Sequence, residues 1–255
     1  MDEYNEVNTI NNNFNRINTG INRLDEITQG GFPKGSFVVV TGTAGSGKTI
    51  FACQFLAHGI YNNEKCLFIS AEQTENEIKE QASQFGWDFN TWENEGKLKV
   101  YSLVGRQLWE TKAMEEIKQM INESNYERVV FDSITSILNA SFSGNSIVDF
   151  ADRGLHPNVL SEMNKSNITN FIDFIKQRNI TTIGIAQKVE GMPGDTLDNI
   201  SEFKADGLIV MDYAAIGSNL NRTIQIKKLR KTRIDGIPHT FDFTENGIFI
   251  QGNEE

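Results

Sequence analysis

A chain of 255 residues with 38% apolar and 23% charged residues suits one large α/β domain with a substantial buried core. No apolar run approaches the roughly 20 residues of a membrane span, and the polar N-terminus lacks the apolar stretch of a secretory signal, which points to a cytoplasmic protein with no membrane partner. The net charge of −10, from 24 basic and 34 acidic residues, argues against a protein that coats nucleic acid, although a local basic groove remains compatible with it.

Residues 1–16 are polar and Asn-rich and are expected to form a flexible tail, leaving 17–255 as a single domain. Phe37-Val38-Val39-Val40 reads as a strand and Thr49 to Asn62 as a helix. Between them Gly42-Thr43-Ala44-Gly45-Ser46-Gly47-Lys48-Thr49 is a complete phosphate-binding loop, G-x-x-x-x-G-K-[ST], in the strand–loop–helix setting that the motif needs. Its glycines let successive backbone N–H groups turn inward around a phosphate, and the helix N-terminus adds partial positive charge behind them. Lys48 is placed to reach the β- and γ-phosphates of ATP and the Thr49 hydroxyl to hold Mg²⁺, with Ile50 closing the nucleotide-contacting run.

Lys65 to Ala71 reads as a buried strand followed by Glu72, and Thr74-Glu75-Asn76-Glu77 is a capping box opening a helix that runs through Phe85. Lys97 to Ser102 reads as a strand, and Glu110 to Glu123 as an amphipathic helix with Met114, Ile117, Met120 and Ile121 on one face. A buried strand, Glu127 to Phe131, runs into Asp132. Ala140 to Asn167, rich in Asn, Ser and Asp, reads as a surface loop, then Ile168 to Arg178 as a helix and Thr181 to Ala186 as a strand. Cys53 and Cys66 read as reduced core residues, and His58, His156 and His239 have no zinc-type spacing.

After about Asp206 the grammar changes. Asp206 to Met211, Arg222 to Leu229, Thr240 to Phe243 and Gly247 to Gln251 read as strands without intervening helices. A parallel sheet flanked by helices, with an antiparallel C-terminal extension, is the RecA-type arrangement among phosphate-loop NTPases.

Hydrolysis of a nucleotide needs a carboxylate to organise Mg²⁺, a group to position water and a cation for the transition state. Asp132, leaving a buried strand at the C-terminal edge of the sheet, suits the first task; Asp and Ser there would equally cap a helix from Ile134. Glu72 stands where RecA-type sites keep their water-activating acid, a place that also suits an acid near the next helix N-terminus.

Asn18-Thr19-Gly20-Ile21, Gly30-Gly31-Phe32-Pro33-Lys34-Gly35, the loop itself, Phe68-Ile69-Ser70-Ala71-Glu72-Gln73, Phe85-Gly86-Trp87-Asp88, Val130-Phe131-Asp132-Ser133 and Lys228-Leu229-Arg230-Lys231-Thr232 together resemble the KaiC family of ATPases, which includes cyanobacterial clock proteins. The resemblance runs over about residues 15–250, one lobe where the clock proteins carry two in tandem. It implies a homo-oligomer, a hexameric ring or a related RecA-type assembly, with ATP held between subunits and a regulatory role exercised through protein partners. It also implies that Lys228 and Arg230 reach across to a neighbour's γ-phosphate, with Leu229 between them in the same nucleotide-contacting run, that Thr232, Thr244 and Glu245 contact the base side across the interface, and that Gln84 lies on the loop-bearing subunit. Gln73 replaces the second of the family's adjacent carboxylates, so Glu72 alone carries any base role and turnover is expected to be slow. Ser201 matches one phosphoacceptor of the family's autokinase lobe while Glu202 resembles the acidic, hydrolytic version. Two alternatives stay open: an autokinase acting near Ser201, and a RecA-type DNA-repair accessory protein. Against the second, Gln187 to Asn199, where RecA-type proteins contact DNA, holds one Lys against one Glu and two Asp.

Overall fold

The computed structural model describes residues 14–105, 112–137, 157–188, 194–196, 201–216 and 219–252. A two-stranded antiparallel ribbon, β1 (Arg16–Ile17) and β2 (Phe32–Pro33), brackets the short helix α1 (Asn22–Ile27). Strands and helices then alternate: β3 (Phe37–Gly42), α2 (Lys48–Tyr61), β4 (Cys66–Ser70), α3 (Glu75–Ser83), α4 (Phe89–Asn94), β5 (Leu98–Ser102), α5 (Lys112–Glu123), β6 (Arg128–Asp132), α6 (Pro157–Lys176) and β7 (Thr181–Ile185). The one-turn helix α7 (Ser201–Lys204) leads into β8 (Gly207–Ile216), β9 (Asn219–Leu229), β10 (Pro238–Thr244) and β11 (Gly247–Ile250).

All strands from β3 onward join one sheet in the order β11-β10-β9-β8-β3-β7-β6-β4-β5. The strands from β8 to β5 are parallel, and β9, β10 and β11 continue the sheet antiparallel. Strand β8 is the hinge of this plan, parallel to β3 on one side and antiparallel to β9 on the other. Both faces are covered, so the central strands read as continuous apolar runs rather than alternating ones. Side chains still alternate between faces. Val38 and Val40 pack with Phe51 and Phe55 of α2, whereas Phe37 and Val39 pack with Phe171, Ile172 and Ile175 of α6.

Three local expectations change. The loop read over Ala140 to Asn167 is helical from Pro157 onward, because α6 begins there; residues 140–156 lie outside the described residues. Asn and Ser make this stretch look like a loop, but the face from Ile168 to Ile175 anchors the helix, and each added residue costs little once a helix is nucleated. Pro157 suits the first helical position, where its missing N–H is no loss. The tail boundary also moves: Arg16 already pairs with Pro33, while residues 1–13 lie outside the description. The capping box at Thr74 forms as expected, yet α3 ends at Ser83 instead of Phe85.

Arg128 ties these layers together. It is 1% exposed. Its Nη1 donates to the carbonyls of Asn18 (2.9 Å) and Phe55 (2.8 Å), its Nε pairs with Glu64, and the guanidinium lies 4.5 Å from the Phe55 ring centroid. Arg128→Met should leave those carbonyls and the Glu64 carboxylate without their partner and destabilise the fold by about 3–5 kcal/mol. Urea unfolding followed by circular dichroism measures this; a loss below about 1 kcal/mol would mean that water replaces the guanidinium at no great cost.

Candidate functional site

The phosphate loop leaves β3 at Gly42, whose φ of +147° and surroundings admit no side chain, since a Cβ would stand 1.7 Å from the Met211 carbonyl oxygen. Gly47 closes the loop as the left-handed N-cap of α2. That helix N-terminus has no side-chain cap and no acidic residue in its first turn, so its N–H groups are free to meet an anion. The Ser46 hydroxyl is buried without a hydrogen-bond partner among the described residues, a polar lining suited to phosphate oxygens. Lys48 folds its Nζ over the loop, donating to the carbonyls of Gly42 (2.9 Å) and Thr43 (2.7 Å). Burial pushes this ammonium below the ordinary lysine range, against the pull of Asp132, Glu72 and Asp212.

Register brings the acids to the same edge. Ser70 of β4 pairs with Asp132 of β6, which pairs with Ile185 of β7, so Glu72, Asp132 and Gln187 all follow level strand ends. The Thr49 hydroxyl donates to Asp132 Oδ2 at 2.8 Å. Asp132 is 2% exposed, and burial raises its pKa to about 6; the Thr49 hydrogen bond opposes the rise and the Glu72 charge adds to it. Glu72 is exposed, and its Oε1 accepts from Gln187 Nε2 (2.8 Å) and Ser136 Oγ (3.2 Å). Ser70 Oγ accepts from the N–H groups of Glu72 (3.2 Å) and Gln73 (2.9 Å), fixing the turn that aims the acid. The side chains of Lys48, Thr49, Glu72 and Asp132 line a single cleft of about 610 Å³.

The middle of β8 supports the loop from beneath, which the sequence reading did not anticipate. Asp212 Oδ1 accepts from Thr43 N at 3.2 Å, its Oδ2 pairs with Lys188 Nζ at 2.5 Å, and Tyr213 donates to the Gly45 carbonyl at 2.9 Å. Burial works against the Asp212 charge, but the Lys188 ammonium and the Thr43 amide hold its carboxyl below the usual range. A signal was present: Asp212 ends the run Leu208-Ile209-Val210-Met211 just as Asp132 ends Val129-Val130-Phe131. Arg222 is also new to the site. Its guanidinium lies 5.5 Å from the Tyr213 ring and 4.9 Å from that of Phe243, a residue lining the cleft.

The remaining expected contacts divide. Gln84 is exposed at the C-cap of α3, whereas Gln81, one turn earlier on the same helix, lines the cleft. Thr244 and Glu245, expected across an interface, sit on the β10–β11 turn beside this chain's own loop. Phe243 precedes them in the cleft wall, and the Gln54 carboxamide of α2 accepts from Ile248 N at 2.7 Å. The hairpin is antiparallel and the last in the sheet, so its turn returns to the loop edge. Lys228, Leu229 and Arg230 are at the other edge, because Leu229 pairs with Gly207 while Met211 pairs with Gly42. The four residue steps of β8 from Gly207 to Met211 put roughly 13 Å between the basic end and the loop. Lys228 Nζ donates there to the carbonyls of Glu202 (3.0 Å) and Phe203 (3.1 Å), and burial together with Arg230 lowers its pKa. Thr232 Oγ1 accepts from Arg16 at 3.0 Å, and Ser201 is fully buried at the start of α7.

A family model described as "ATPase: KaiC" matches residues 17–150 and 154–255. A UPF0273 protein of Thermotoga maritima is 28% identical over 255 residues, spanning 94% of this chain and 97% of its own. The circadian clock oscillator protein KaiC of Rippkaea orientalis is 30% identical over 244 residues, covering 92% of this chain and 44% of that protein. Among solved structures, a KaiC-like protein from Pyrococcus horikoshii matches 94% of this chain and 100% of its own, with 27% identity and a TM-score of 0.76.

Asp132 gives the ligand-free chain a defined pH dependence. Its folded pKa, about 6, lies above the ordinary value of 3.8, so the folded state holds this proton more tightly. The stabilising contribution is therefore complete below about pH 4 and is lost as pH rises through about 6. Asp132→Asn should remove that loss, and its stability advantage over the parent should grow across this window to roughly 3 kcal/mol. Urea midpoints of both proteins at stepped pH check this, and parallel curves would show that Asp132 ionises without penalty.

Proposed function

The chain belongs to the KaiC family of ATPases, and on that premise we propose that it binds ATP with Mg²⁺ and hydrolyses it slowly between the subunits of a homo-oligomeric ring, as a regulatory switch read by protein partners. The observation that carries this reading is the convergence of Lys48, the Thr49–Asp132 pair and Glu72 in one cleft. The loop N–H groups and Lys48 cradle the phosphates. Thr49 and Asp132, one hydroxyl and one carboxylate 2.8 Å apart, fit the hard-oxygen preference of Mg²⁺ and would hold it. When bound, that ion neutralises charge on the phosphate oxygens.

Glu72 takes the base role. It is wet where Asp132 is dry, and Gln187 and Ser136 hold one of its oxygens while the other, with no partner among the described residues, is available to orient a water. The neighbouring Gln73 is an amide and cannot accept the proton, which supports slow turnover. Lys228 and Arg230 lie too far from this chain's loop to serve it, and this favours donation to a neighbour's ATP. Burial of Ser201 disfavours self-phosphorylation there. The DNA-accessory reading loses support too, since Lys188, the lysine of the β7 loop, is already paired with Asp212.

Glu72→Gln should retain ATP binding and lower steady-state phosphate release by roughly 10²–10⁴-fold; activity within about twofold of the parent would remove Glu72 from the chemistry. Lys48→Ala should weaken ATP binding at least about tenfold by calorimetry. Co-expressing Lys48→Ala and Arg230→Ala chains under separate tags tests the shared site. Mixed assemblies contain interfaces with both halves intact and should hydrolyse ATP faster than either parent variant. No recovery in mixed assemblies would restrict the basic end to its own subunit.

A further inference from the structure

We propose that Asp206 is a positioning residue that presents Arg230 to the ATP of an adjacent copy of the chain. This rests on the role in trans proposed above for Arg230. Asp206 lies just ahead of β8 and engages three elements with one carboxylate. Its Oδ2 accepts from the Phe37 N–H at the start of β3 (3.0 Å). Its Oδ1 accepts from Lys176 Nζ at the end of α6 (2.7 Å) and from Arg230 Nη1 past the end of β9 (3.2 Å). The Asp206 carbonyl also accepts from Arg230 N at 2.8 Å, so backbone and side chain of Arg230 are gripped by the same residue.

The exposures say what the grip is for. The Arg230 side chain is 52% exposed and that of Asp206 is 15% exposed. An ion pair with one partner this open contributes little to stability. Its consequence is geometric: Asp206 is fixed from behind by β3 and α6 and holds one edge of the guanidinium, leaving the rest of the planar fork facing outward. An arginine ordered before it meets phosphate loses less side-chain freedom on doing so. Lys176 shares the same carboxylate oxygen and Lys228 is anchored beside it on α7, so the cations outnumber the acid that holds them. The site therefore stays electropositive, as a donor to a triphosphate must.

The test is complementation in mixed assemblies, read as ATP turnover. Asp206→Asn alone should lower kcat about 10- to 100-fold with KM for ATP little changed, since its own loop is untouched. Lys176→Met removes one of the contacts that fix Asp206 but keeps its bonds to Phe37 and Arg230, and should lower kcat by at most about fivefold, clearly less than Asp206→Asn. An equal loss in Lys176→Met would make Asp206 a tether for α6 instead. Asp206→Asn chains co-assembled with Lys48→Ala chains should regain activity, because the loop of the first then faces the intact Arg230 of the second. If Arg230→Ala is rescued by Lys48→Ala but Asp206→Asn is not, Asp206 acts on its own subunit and the inference fails while the shared site survives. If neither is rescued, or the chain stays monomeric with ATP, the shared site itself fails and takes the inference with it. Should Asp206→Asn not fold, Asp206→Glu, which moves the carboxylate by one methylene, enters the same mixture and is read in the same way.

Discussion

Where β3 becomes the phosphate loop, Gly42 lies so close to β8 that a methyl group at its Cα would stand 1.7 Å from the Met211 carbonyl oxygen. The parallel pairing of β3 with β8 runs right up to this point, Gly42 opposite Met211. Because the loop starts pressed against β8, the next residues of β8 are in reach of it. Asp212 takes the Thr43 amide and Tyr213 the Gly45 carbonyl. The loop is thus held from below by a strand that follows it by some 170 residues, leaving its upper side and the bare N-terminus of α2 for the ligand. A residue larger than glycine at position 42 would push the strands apart and lose both supports.

Strand β8 also decides how the sheet is used. Being parallel to β3, it runs past the phosphate loop; being antiparallel to β9, it carries the start of the C-terminal meander to the loop edge and the end of β9 to the opposite edge. One sheet therefore has an acidic, nucleotide-facing edge and a basic edge built around Lys228 and Arg230. The two cannot meet within one chain. A head-to-tail neighbour would bring them together, which links the sheet's topology directly to the assembly in the proposed function.

The two carboxylates of the loop edge differ by environment rather than by kind. Asp132 is the last residue of a strand covered on both faces, and burial, helped by the Glu72 charge, shifts it toward its protonated form. A cation would reverse that preference, so the same burial that destabilises the bare carboxylate makes it a strong ligand. Glu72 lies two residues beyond the end of β4, on a turn fixed by Ser70, and reaches solvent. That placement suits the base role proposed for it.

Much of this was legible in the sequence. The loop, the strands flanking it, the capping box at Thr74, Asp132 and Glu72 are all expressed over a few consecutive residues, in turn chemistry, apolar runs and the acids that end them. What sequence could not resolve are choices made by register and packing. Gln81 faces the cleft and Gln84 does not because one turn of α3 separates them and the sheet, not the helix, decides which turn overhangs the loop. Thr244 and Glu245 lie at the loop edge because β10 and β11 continue the antiparallel meander from β9. The start of α6 at Pro157 was hidden by a polar composition that reads as loop. Asp206 and Asp212 looked like ordinary strand-end acids, and only tertiary structure showed that one grips Arg230 and the other supports Thr43. Local chemistry names the groups that can act. Which of them meet is set by hydrogen-bond register between segments far apart in the chain, where a shift of one residue would send every side chain to the other face.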